Sequence, residues 1–238
     1  MKLPGTAANE EVARIVNLCL PKRWRLPVLF FLNRILGRLE EELALVPALT
    51  KSKGVAVDVG ASSGYYSFVM AKCFAQVEAF EPLAANTRNL TDYGSPKIRV
   101  HHLALSNASG AKSFYLPLID GAGSYGRASL EVPPRGPYDV VEVELRRLDD
   151  FGLRDVSLIK IDVEGHELEV LEGARHTIAD CRPVLIIEIS NCNKDRVEAF
   201  FAGLGYRPSM LAAGRLVPLP GGLRDPKVNR VNFVYQPA

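Results

Sequence analysis

Cysteine is scarce and scattered in this 238-residue chain: Cys19, Cys73, Cys181 and Cys192 stand far apart, with no CxxC pair among them. That spacing excludes a zinc ribbon and a dense disulfide framework, and it predicts a reducing, cytoplasmic compartment. A dominant charge is lacking as well. The 29 basic and 27 acidic side chains leave +2, without the large basic excess of a nucleic-acid binder, so no nucleic-acid partner is expected. No run reaches the roughly 18 to 20 apolar residues that span a bilayer. Met1 to Ala13 is polar and includes Glu10 and Glu11, unlike a secretory leader. A soluble protein without a transmembrane segment is expected. Internal repeats and low-complexity tracts are missing too, which leaves an ordinary globular chain long enough to bury its own core.

What the sequence does contain is alternation. Phe30 to Leu49 carries Ile35, Leu36, Leu39, Leu43 and Val46 at three- and four-residue spacings and reads as helix. The β-branched run Val55–Val59 reads as a strand buried on both faces, and Tyr65–Cys73 as the helix after it. Gln76–Phe80, Leu83–Tyr93 and Ile98–Leu103 repeat the strand and helix pattern. Lys112–Leu116 and Asp139–Leu145 read as antiparallel strands around Pro117 to Pro137, a stretch rich in Gly, Pro and Ser that is either a lid or a surface insertion. The alternation resumes with Ser157–Val163, Leu168–Ala179, Pro183–Ile189 and Asp195–Gly203. Arg215–Pro218 and Val231–Tyr235 follow with no helix between them, which predicts an antiparallel hairpin at one sheet edge. The expected architecture is α/β, a doubly wound sheet with one reversed strand, spanning residues 51–238 behind an N-terminal helical extension of residues 1–50.

Ligands of such sheets bind beyond the carboxyl ends of the strands. The first strand ends in Asp58-Val-Gly60-Ala-Ser62-Ser-Gly64, and the second in Glu81. Glycines let a turn approach a ligand closely, and an acid about twenty positions on accepts bonds from ribose hydroxyls. A nucleoside-containing ligand is therefore expected. Asp58 would repel a pyrophosphate but suits a sulfonium and an ammonium, and Ser62 stands where a dinucleotide fingerprint needs its middle glycine. The fourth strand delivers Lys160 through Glu167, KIDVEGHE. Asp162 at the strand tip is a candidate for chemistry, whereas Glu167 and Glu169 suit the first turn of the following helix.

VDVGASSGYYS at Val57–Ser67, FEP at Phe80–Pro82 and LIKIDVEGHELEVLEGA at Leu158–Ala174 resemble the FkbM-type S-adenosylmethionine-dependent methyltransferases. The likeness runs from about Gly54 to Tyr235, with Leu148, Asp149 and Glu188 included, and residues 1–50 lie outside it. It implies a class I methyltransferase fold, Rossmann-like, with strand order 3-2-1-4-5-7-6 and the seventh strand reversed. It also implies O-methylation of a hydroxyl on a sugar, glycan or polyketide-type acceptor. Two positions depart from the family pattern: Ser62 stands where Asn is frequent, and Leu83 follows Glu81-Pro82 in place of a Pro or polar residue.

On this reading Gly60, Gly64 and Tyr65 cradle S-adenosylmethionine. Glu81 takes its ribose, Ala104 and Leu105 the adenine edge, and Asp58 the amino acid end. Asp162, Glu164 and His166 are the candidate bases, and a divalent metal on Asp162 and Glu188 is an alternative way to activate the acceptor. Two competing classes are a dinucleotide-dependent oxidoreductase and a silent cofactor-binding scaffold. The stretch Lys22–Leu32, basic and aromatic before an apolar run, fits a packed helix, a homodimer contact or a weak membrane-surface contact.

Overall fold

The computed structural model describes residues 6–119, 122–123, 128–132, 137–223 and 232–238. Its main sheet has eight strands. β1 (Val55–Val59), β2 (Gln76–Phe80), β3 (Ile98–His101), β8 (Val156–Ile161) and β9 (Val184–Glu188) run parallel, and β12 (Asn232–Pro237) is antiparallel to both its neighbours, β9 and β10 (Tyr206–Ala212). The spatial order is β11-β10-β12-β9-β8-β1-β2-β3. Seven of these strands reproduce the order 3-2-1-4-5-7-6, and β11 (Arg215–Pro218) adds one more at the edge.

The central strands are apolar because helices cover both faces, and every residue of β8 is buried. Side chains alternate. Val57, Val59, Ile159 and Ile161 point into one core, shared with α5 (Glu167–Gly173), α6 (Arg175–Cys181) and α7 (Lys194–Phe201). Ala56 and Leu158 point to the other, with Met70 and Phe74 at α3 (Tyr65–Cys73) and Leu43, Val46 and Leu49 of the N-terminal segment. The same alternation turns Asp58 and Lys160, register partners on β1 and β8, toward this second face.

α1 (Thr6–Cys19) and α2 (Lys22–Ile35) lie beyond it. α2 buries Leu26 and Leu29 and sets Phe30 against Tyr65 and Phe68 of α3, while α4 (Arg88–Tyr93) contributes Leu90 to the same cluster. A second, smaller sheet is built on the long antiparallel pair β5 (Gly110–Ile119) and β7 (Tyr138–Arg146), with the short strands β4 (Ala104–Leu105) and β6 (Ala122–Gly123) at its sides.

Three expectations are corrected. The terminal hairpin is β10 with β11, and β12 inserts between β9 and β10 without touching β11. β10 escapes a reading for strands because its YRPSMLA sequence carries Pro208 and little β-branching. The helix expected over Phe30–Leu49 stops at Ile35, where Gly37 takes a left-handed φ of +62°, and resumes only as a 3-10 turn at Glu41–Leu45. Leu168–Ala179 is two helices joined at Ala174. Of the Pro117 to Pro137 stretch, Pro117 to Ile119 completes β5, Ala122–Gly123 is β6, and residues 128–132 fold onto β5 through a Tyr115–Ser129 bridge. Tyr125, Arg127 and Arg135 lie outside the described residues.

Candidate active site

The tips of β1, β2, β4 and β8 enclose a cleft whose lining also includes Phe114 of the small sheet and Leu130 of the segment folded onto β5. Gly60 shapes its floor. Its φ is +76°, and a Cβ there would lie 1.9 Å from the carbonyl oxygen of Asp162, so the glycine is required by the approach of β8 rather than by a ligand. Ser62 is left-handed too, with φ +46°, a conformation that Asn tolerates better than Ser.

Glu81 projects into the cleft from the end of β2 and is 5% exposed. Its Oε2 accepts the Ser62 N–H at 3.1 Å, and Oε1 accepts the Leu83 N–H at 3.1 Å and the Asn86 side-chain amide at 3.0 Å. Burial raises its pKa against these bonds, and the fixed carboxylate keeps acceptor capacity for a ligand. Phe80, Leu103, Ala104, Leu105, Leu130 and Val163 supply apolar wall.

The turn after β8 carries Asp162, Glu164 and His166 to the same cleft. Glu164 and Gly165 both have positive φ, 50° and 105°, and the turn is held from beneath by Glu167. That carboxylate, 1% exposed, accepts from the Gly165 N–H at 2.8 Å, Ser190 Oγ at 2.9 Å and Asn193 Nδ2 at 2.5 Å. Glu167 opens α5 in its first turn, as its position suggests, and it also serves there as a buried clamp. The ring of His166 is fixed at both ends, with Nε2 3.0 Å from Ser106 Oγ and Nδ1 2.8 Å from Glu131 Oε1.

Behind Asp162 lies a charge cluster centred on Lys160. Its Nζ donates to Asp162 Oδ2 at 2.7 Å and sits 4.9 Å from the centre of the Tyr66 ring. Burial alone would lower its pKa, but Asp162, Glu40 and Asp58 hold it above the usual value. Glu40, from the N-terminal segment, accepts the Tyr66 hydroxyl at 2.8 Å. Carboxylate oxygens of Glu40, Asp162 and Glu188 lie within 4.8 Å of one another. Burial pushes the Glu188 carboxyl up to about 7, with Asp162 and Glu40 adding repulsion and Lys160 opposing them. A divalent ion would have to share this cluster with the Lys160 ammonium, and nothing else among the described residues calls for one.

The structure therefore brings Gly60, Glu81, Ala104, Leu105, Asp162, Glu164 and His166 to one cleft and leaves three expected residues outside its walls. The Asp58 carboxylate, 1% exposed, faces α3 and accepts Ser67 Oγ at 2.6 Å, because its place in the strand alternation turns it away from the strand tips. Gly64 starts α3 with φ +78° and packs on Leu90. Tyr65 points at α2, where its hydroxyl accepts the Asn33 amide at 3.0 Å. Sequence reasoning gave no role to Glu40 or Lys160. Glu40 sat inside a presumed helix, but a lysine inside an otherwise apolar buried strand was a readable signal.

The sequence profile described as "Methyltransferase FkbM domain" matches residues 58–208. The chain belongs to the FkbM methyltransferase family. Similar curated proteins include "Methyltransferase 1" of Beauveria bassiana, 27% identical over 163 residues, and the "2-O-methyltransferase NoeI" of Sinorhizobium fredii, 28% identical over 159. Each alignment covers 58% of this chain, and 66% and 64% of those proteins, so the chain spans just under two thirds of their length. A crystal structure of a methyltransferase FkbM from Methylobacillus flagellatus KT superimposes with a TM-score of 0.52 over 97% of this chain and 58% of its own, at 19% identity. That similarity establishes the fold, which is the class I methyltransferase fold.

Proposed function

We propose that this FkbM methyltransferase transfers a methyl group from S-adenosylmethionine to a hydroxyl of a sugar, glycan or polyketide-type acceptor. The observation that carries the reading is the charge of the cleft: its described lining has three carboxylates, Glu81, Asp162 and Glu164, and no lysine or arginine. Such a surface attracts a sulfonium and an ammonium and repels a pyrophosphate. The discrimination against a dinucleotide that sequence reasoning gave to Asp58 thus passes to these three. A silent scaffold is disfavoured by the Lys160 cluster, since buried ionisable groups of this density are costly to keep without a use.

S-adenosylmethionine supplies an electrophilic methyl group when bound. In this reading Glu81 accepts ribose hydroxyls, and Ala104, Leu105 and Leu130 flank the base. His166 is a positioning residue that fixes the wall between Ser106 and Glu131. Asp162 belongs both to the cleft lining and to the carboxylate cluster, so it joins the donor end to the acceptor end. Glu188, with a pKa of about 7, is suited to take the acceptor proton near neutrality. The similarity to the 2-O-methyltransferase NoeI supports a hydroxyl acceptor. The test is incubation of the purified protein with methyl-labelled S-adenosylmethionine and pooled glycans and polyketides. Label in alkali-stable methyl ethers is expected; label confined to alkali-labile esters or to amines would overturn the O-methylation reading.

A further inference from the structure

The near-neutral charge of the whole chain conceals a local excess. From Val12 to Leu39 there are six basic side chains, Arg14, Lys22, Arg23, Arg25, Arg34 and Arg38, and no acidic one. Only 23 of the 29 basic residues, against all 27 acidic ones, lie in the rest of the chain. The structure folds this segment into α1 and α2 on the outside of the fold.

α2 is apolar on two sides. Leu26 and Leu29 are buried against the body of the protein. On the opposite side, Trp24, Phe31 and Ile35 are 52%, 61% and 66% exposed, with half-buried Val28 between them. At 100° per residue these four positions form a single stripe along the helix. Arg23 and Arg34, both exposed, fall about a quarter turn to one side of it. The Arg23 guanidinium rests 5.9 Å from the centre of the Trp24 ring. Leu36, just past the helix, and Ile15 and Leu18 of the preceding helix are exposed as well, at 52%, 50% and 73%. Lys22 and Arg25 pair with Asp92 of α4, toward the body, which leaves Arg23, Arg34 and Arg38 facing outward.

We infer that this face docks on an anionic lipid bilayer. Exposed aromatic and aliphatic side chains bordered by arginines, in a segment that carries no acid from Val12 to Leu39, match an acyl boundary beneath anionic headgroups. A second copy of the chain is a poorer occupant, because pairing like faces would bring the same arginines together. The contact is peripheral: no described helix is long and apolar enough to cross a membrane.

Trp24 is the sole tryptophan and reports on the contact directly. Phosphatidylserine-containing vesicles should shift its emission to the blue and carry the full chain through flotation, whereas phosphatidylcholine vesicles should do neither. Substituting Arg23→Glu and Arg34→Glu should weaken vesicle binding at least about 25-fold, at roughly five-fold per lost charge. The thermal midpoint and the affinity for S-adenosylhomocysteine should stay unchanged. Phe31→Ser with Ile35→Ser should abolish flotation while leaving those two controls intact. Unchanged Trp24 emission with anionic vesicles would overturn the inference, as would dimers in vesicle-free solution that the Phe31→Ser, Ile35→Ser variant converts to monomers.

Discussion

Replacing Lys160 with methionine tests the charge cluster beneath the cleft. The methionine keeps most of the stem and removes the ammonium, which lies 2.7 Å from Asp162 with its side chain 3% exposed. Breaking a buried pair by removing one partner costs about 3 to 5 kcal/mol. Asp162 retains 25% side-chain exposure and can recover some hydration, so the lower end, about 3 kcal/mol, applies. For a chain of this length that lowers the thermal midpoint by about 6 to 12 °C. The loss should depend on pH. Burial already raises the pKa of Asp58 above its unfolded value, and removing Lys160 raises it further. A carboxyl whose folded pKa is raised binds more protons folded than unfolded, so its contribution falls as pH rises between the two values. Urea unfolding of wild type and Lys160→Met at pH 5 and pH 8 should therefore show the larger deficit at pH 8. Equal stability at pH 8, or a larger deficit at pH 5, would refute the assignment of Lys160 as the counter-charge of this cluster.

Three further substitutions have expected outcomes. Glu81→Ala should weaken binding of S-adenosylhomocysteine by about 1 to 3 kcal/mol through lost hydrogen bonds, measured by calorimetry; undiminished affinity would remove Glu81 from the ribose site. For Glu188→Gln, methyl transfer should fall about 10²- to 10⁴-fold and lose its rise through pH 7, and a pH–rate profile that keeps that rise would assign the proton to another group. The same variant should gain stability on the wild type as pH rises from about 4.5 to about 7, since Glu188 is more protonated folded than unfolded across that window. Glu167→Ala leaves the Gly165 N–H, Ser190 and Asn193 without their acceptor and should cost about 1 to 3 kcal/mol; hydrogen exchange that stays slow at residues 164–167 would count against the clamp.

The sheet was legible because its buried parallel strands are short runs of Val, Ile, Leu and Ala bounded by turn residues, and β1, α3 and β2 fall where their patterns end. The edge was not. β10 lacks the β-branched signal, and β12 takes its place between β9 and β10 through pairing that no local pattern encodes. At the site, the motif residues at strand tips were readable, since a strand end fixes where its last side chain emerges. Asp58 and Tyr65 lie outside the cleft lining because the direction of a side chain depends on the phase of the strand or helix, and one position of phase moves it from cleft to core. Glu40 required knowledge that the N-terminal segment folds back over α3, a contact made across 26 residues with Tyr66.

A cleft made for a positively charged adenosyl donor should bind one and refuse a dinucleotide. Calorimetric titration of the full chain with S-adenosylmethionine and, separately, with NAD is the most direct measurement. Saturable binding of the former at one site, with no heat from the latter, is predicted; saturation by NAD with none by S-adenosylmethionine would contradict it.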